Sequence, residues 1–174
     1  MNEKIKIDMQ KLTNTERKRL IELAAKTSVD LDKVSCVWKP EKKEHYYYVD
    51  SCNCVDIDNW DGADVDEDRL NIGNVFETEQ EAYIVAVRQK VKTELQRYAL
   101  EHNDPEKESW NKANCHYMIV FDHMTNDLSI TQGYYLEEES ATHFTSREIA
   151  REAITTIGRE RIAKYLFNVR CKDE

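Results

Sequence analysis

A chain of 174 residues, 40% hydrophobic and 34% charged, is long enough to bury a core and too apolar to stay disordered. Its four glycines and two prolines leave little for long linkers, and no apolar run approaches the roughly 18 residues of a membrane span. The net charge of −9 is concentrated: Glu41 to Ala82 holds 13 acids against 3 bases, while the other residues hold 21 acids and 22 bases. Such a field repels nucleic acid and attracts a basic partner, so direct nucleic-acid binding is not expected.

The opening "MNEKIKIDMQKL" alternates charge and lacks the apolar core of a signal peptide. Five cysteines (Cys36, Cys52, Cys54, Cys115, Cys171) form no CxxC and are odd in number, which argues against a disulfide framework. A cytoplasmic protein with no membrane association is expected.

Residues 1–35 read as an N-terminal strand and helix. Lys4–Asp8 is strand-like, Thr13 or Thr15 can cap "TERKRLIELAAK", and Leu20, Ile21, Leu23 and Ala24 form its apolar stripe. Residues 36–174 read as the core, in one compact domain. "HYYYVD" (His45–Asp50) is a strand, Ser51–Asn53 its turn and "CVDI" its partner, followed by an acidic loop. "NIGNVF" reads as a short strand bent at Gly73. "TEQE" from Thr78 is a capping box, and Ile84, Val87, Val91, Leu95 and Tyr98 carry its helix to about Glu101.

The plan then recurs. "YMIVFD" (Tyr117–Asp122), "HMTND" and "LSITQGYYL" form a second hairpin. Ser146 caps a helix with Ile149, Ala150, Ala153, Ile154 and Ile157 on one face and Gly158 at its end. "RERIAKYLF" is a last short helix, with Ile162, Tyr165 and Leu166 inward. Asp50 aligns with Asp122, and Phe76, Thr78 and Ala82 align with Phe144, Ser146 and Ala150. The expected fold is α+β: an antiparallel sheet built from two hairpin-plus-helix pseudo-repeats, about 44–102 and 115–170, with helices on one face and an N-terminal helix.

These residues bear on several chemistries. Cys52 and Cys54 at one hairpin turn, with Cys115 and His116 at the other hairpin, would approximate a zinc site if the hairpins met, yet no known zinc spacing is matched. "DIDNWDGADVDED" resembles an EF-hand loop, but placing Gly62 at the sixth position puts Ile57 at the first ligand position. There is no HExxH, GxSxG, GxxxxGK[ST] or GxGxxG, and His45, His116, His123 and His143 sit near strand or turn ends. No catalytic residue and no cofactor is assigned. On the C-terminal helices Arg147, Arg151, Arg159 and Arg161 alternate with Glu148, Glu152 and Glu160, as on a solvated, ion-paired face.

The densest feature is acidic. Asp56, Asp58, Asp61, Asp64, Asp66, Glu67 and Asp68 fall within 13 residues with no intervening cation. With Trp60 as aromatic anchor, they form a candidate docking loop for a basic, nucleic-acid-binding surface on a partner protein. The competing explanation is a solvent-exposed loop without a partner. Asp64→Asn with Asp66→Asn is the substitution pair that would separate the two.

"VWKPEKKEHYYYVDS", "RLNIGNVFETEQEA" and "HFTSREIAREAITTIGRERIAKYLF" together resemble a family of small proteins encoded by phages and prophages of Gram-positive bacteria. The resemblance spans Trp38 to Phe167, thinly around His102–Cys115, and Cys52 and Cys54 depart from its small or polar turn. It carries no catalytic residues to transfer. It implies an accessory protein that acts inside a bacterium, and proteins of that kind often block host machinery such as CRISPR effectors. The leading expectation is therefore a non-enzymatic inhibitor of a host defence protein acting through Asp56–Asp68. The alternatives are a metalloprotein or metal-dependent enzyme using Cys52, Cys54 and carboxylates, and a self-associating regulatory or structural protein.

Overall fold

The computed structural model describes residues 38–111, 113–133 and 140–169, together with Thr13, Thr15 and Arg19. The strand and helix expected at the N-terminus otherwise lie outside the described residues. Strands β1 (His45–Val49) and β2 (Val55–Asn59) pair antiparallel, with Tyr47 opposite Ile57. Asp50 closes their turn: one carboxylate oxygen accepts the N–H groups of Cys52 and Cys54, at 2.9 and 2.7 Å. Asn53 takes the left-handed conformation that its short polar side chain tolerates, and its amide donates to the Ala86 carbonyl of the following long helix.

The next segment departs from expectation. Half of the presumed acidic loop is helix α1 (Asp64–Asn71), ended by Gly73 at φ 73°. "NIGNVF" is accordingly the end of a helix and a turn, not a strand. Of its backbone groups, those of Phe76 bond to β1, exchanging two 2.9 Å hydrogen bonds with Tyr47. Asn74 clasps the same strand, its side chain bonding both the N–H and the carbonyl of Val49.

Thr78 then caps α2 (Glu79–His102): its hydroxyl accepts from Glu81 N–H at 3.2 Å while the Glu81 carboxylate accepts from Thr78 N–H at 3.1 Å. Ala82, Ala86, Val91, Leu95 and Ala99 form its buried stripe, and it packs against both the first hairpin and the helices of the second half. After a single 3-10 turn (Pro105–Lys107), strands β3 (His116–Asp122), β4 (Asp127–Gly133) and β5 (His143–Phe144) form a sheet in the order β4-β3-β5. Ser146 caps α3 (Arg147–Ile157) by accepting from Ile149 N–H at 3.1 Å. Gly158, at φ 103°, turns the chain directly into α4 (Arg159–Phe167).

The fold is α+β, and the internal correspondence between its halves has a physical basis. Asp122, like Asp50, accepts a turn N–H two residues on (Met124, 2.8 Å), and Asn126, like Asn53, is left-handed. Phe144 pairs with Tyr117 of β3 much as Phe76 pairs with Tyr47 of β1, and each aromatic is followed two residues later by the hydroxyl cap. Ala82 and Ala150, four residues beyond, are both fully buried.

Among the described residues the expected single sheet is instead two sheets, of two and three strands. In each copy the returning aromatic takes the free edge of the first strand, so the hairpins cannot join there. The main core lies where α2 meets the second copy, and comprises Val91, Leu95, Ala99, Leu128, Phe144, Ala150, Ala153, Ile154 and Ile162. A bidentate pair between Arg161 and Glu94, together with Arg88 donating to the Tyr165 carbonyl at 2.8 Å, holds α4 along α2. No helix among the described residues is long and apolar enough to cross a membrane.

Candidate partner-binding surface

Helix α1 lies against the first hairpin through a polar network. Asp66, 2% exposed, accepts the Tyr46 hydroxyl at 2.7 Å, and its second oxygen accepts the N–H groups of Asp61, Gly62 and Ala63 at 3.1 to 3.2 Å. As the third residue of the helix it accepts the amide of the N-cap residue Ala63, the return half of a capping box. Arg69, one turn further on, donates to the Tyr46 hydroxyl and, at 2.8 Å, to Asp58 on β2. Its guanidinium lies 3.6 Å from the centre of the Tyr48 ring, whose hydroxyl donates to Asp56 at 3.1 Å.

The ionisation of these groups follows. Burial alone would raise the Asp66 carboxyl, but the Tyr46 hydroxyl and the three amides outweigh it and hold it below its ordinary value. Tyr46 is pushed up to about 12, first by burial and then by its bond to the Asp66 carboxylate. The Arg69 guanidinium and the Asn59 amide hold Asp58 low.

These contacts divide the candidate residues. Asp66 is an internal structural group, not a surface charge, because three amides and a buried hydroxyl would lose their acceptor without it. Trp60 is also internal: it is 5% exposed, edge-on to Tyr46 at 5.9 Å and covered by Lys39, whose ammonium lies 4.8 Å from the ring centre. It is therefore not an exposed anchor. Asp58 is paired with Arg69 and Glu67 with Lys39, both partly screened. Asp56, Asp61, Asp64 and Asp68 remain exposed.

The density of acids is partly structural. Asp64, Asp66 and Glu67 occupy the first turn of a helix, where the macrodipole favours negative charge. Asp56 and Asp58 lie on an edge strand, where charge discourages pairing with another chain. Sequence reasoning missed Tyr46 and Arg69 as organisers, and Val65, half exposed among the acids on α1. The signal for α1 was present: acids first, Arg69 in the last turn and Gly73 just beyond.

The other candidates do not converge. Cys52 and Cys54 are exposed on the first turn, beside an open groove of about 1140 Å³ against α2. Cys115 precedes β3 in the other sheet. His116 is buried, stacked on Trp110 at 3.9 Å between ring centres, with Nε2 3.2 Å from the Glu108 carbonyl. Among the described residues no three His, Cys, Asp or Glu side chains are grouped as metal ligands. Compared with known proteins, the chain matches no family model, no curated protein and no solved structure.

Proposed function

We propose that this is a phage-encoded accessory protein that acts in the bacterial cytoplasm, binding and inhibiting a host defence effector through the acidic face of β2 and α1. The observation that carries the proposal is the fixed presentation of the exposed carboxylates. Asp64 and Asp68 are one helical turn apart, about 6 Å along the axis, and Asp56 and Asp61 flank them from the strand and the connecting turn. The Asp66–Tyr46–Arg69 network holds the two elements together, so little ordering entropy is lost when a partner docks. Val65 adds an apolar contact among the acids. A rigid array of negative charge of this kind suits a basic groove that normally receives phosphates. The resemblance to phage proteins supplies the biological context.

The test is affinity capture from a bacterium carrying a CRISPR system, at low and moderate salt, with the wild type and with Asp64→Asn/Asp68→Asn. An immune nuclease or its guide complex, retained at low salt, released as salt rises and weakened by the double substitution, is the expected result. Retention of that partner unchanged by the double substitution would remove the acidic face from the proposal. Asp66→Asn is unsuitable for this purpose, since it perturbs the platform itself.

A further inference from the structure

The arginines of the second half lack the partners that their sequence pattern suggests. Arg147 and Arg151 stand one turn apart on α3, Arg159 opens α4, and all three are exposed at a cleft of about 550 Å³ whose floor includes the buried Leu128 and Ile154. Glu148, Glu152 and Glu160 were expected to pair with them. Among the described residues Arg147 and Arg151 have no carboxylate partner, although the Arg147 guanidinium lies 5.9 Å from the centre of the Tyr117 ring, and Arg159 pairs with Asp127, the first residue of β4 and next to Leu128 at the cleft. Glu148 and Glu152 each face about 100° away from the arginine they follow, and Glu148, an i,i+3 neighbour of Arg151, makes no ion pair with it.

Each placement is locally unfavourable. Like charges at i and i+4 repel, and Arg147 puts a cation at the first residue of α3, where the helix dipole is positive. A solvated surface tolerates such placements, but these meet at one cleft, and functional sites are where broken local rules are expected. The chemistry of the lining narrows the ligand class. Guanidinium groups bind phosphate oxygens in pairs and stack on flat rings, and Ser129 and Thr155 add hydroxyls to the lining. The volume lies in the range of small-molecule sites. With a net charge of −9 the molecule as a whole repels anions, so binding must arise locally at this cleft.

We infer that the cleft between α3 and β4 binds a phosphate-bearing small molecule of nucleotide size. This site is separate from the acidic face and does not depend on the function proposed for it.

The experiment is an NMR titration of the full ¹⁵N-labelled chain with four nucleoside diphosphates, inorganic phosphate, adenosine and a single-stranded oligonucleotide. At least one nucleoside diphosphate should bind saturably, shifting the amides of Leu128, Ser129, Ile130 and Thr155, while adenosine does not. Arg151→Gln should weaken that binding about 10-fold with an unchanged melting temperature, since the side chain is exposed. No saturable shift from any diphosphate, or equal affinity in Arg147→Gln/Arg151→Gln, would overturn the assignment. So would inorganic phosphate binding as tightly as the diphosphates, or binding confined to the oligonucleotide, which would make the cleft a contact for a polymer backbone.

Discussion

The two copies of the hairpin-plus-helix unit share a frame and are consolidated by opposite means. The second closes over an apolar cluster in which Phe144, Ala150, Ala153 and Ile154 meet Val91, Leu95 and Ile162. The first carries an extra helix between its hairpin and its returning aromatic, and fastens it with a carboxylate, a phenol and a guanidinium. Apolar burial responds weakly to pH and salt, whereas a buried polar network depends on every member keeping its protonation state. The contrast locates sensitivity in the half that displays the charge.

The sharpest way to break this comparison is to truncate the equivalent aromatics. Phe144→Ala removes a fully buried ring and should cost about 3–5 kcal/mol in urea unfolding. Phe76→Ala, at a half-buried position outside that cluster, should cost clearly less, and equal losses would mean that the copies share one core. Asp66→Asn comes next, at about 1–3 kcal/mol, because buried donors lose a charged acceptor. Its effect should be local: faster amide exchange in α1 and a moved Trp60 indole resonance, with that of Trp110 unchanged.

The pH dependence of the same network has two limits. A carboxyl held low in the fold contributes stability that is fully present above its unfolded value of roughly 4 and is lost as pH falls through the lower folded value. A phenol raised to about 12 contributes stability that is present below its ordinary value and is lost as pH rises through the raised one. Loosening of α1 at both extremes, read from the Trp60 indole, is the expected outcome. Tyr46→Phe should abolish the alkaline limb, and an alkaline limb that persists in this variant would assign the titration elsewhere. The smallest effect tests likeness: Thr78→Ala and Ser146→Ala should each cost about 1 kcal/mol, since both hydroxyls accept the same N3 amide.

What could be read in advance was local. Caps, turns and helix stripes depend on residues within a few positions of one another, and the Asp50/Asp122 and Phe76/Phe144 correspondence followed from them. What could not be read depended on distant partners. Asp66 is indistinguishable from Asp64 or Asp68 until Tyr46, twenty residues away, is placed beside it. Trp60 resembled an anchor because flanking acids normally mark exposure, but a sheet and a helix converge on it. The arginines of α3 resembled an ion-paired face because composition counts charges and not the angles between them.

The Asn74 clasp has a consequence for how such a protein can change. By bonding both polar groups of Val49, it returns the chain to β1 before Phe76 and Thr78 begin the long helix, whatever has intervened. The residues from Asn59 to Gly73 thus behave as a cassette with a fixed entry and a fixed exit. Provided that Tyr46, Asp66 and Arg69 stay in place, the length and charge of the cassette can be rewritten without touching the second copy. Under the function proposed above, a surface built this way could be rewritten to follow a changing target at little risk to folding.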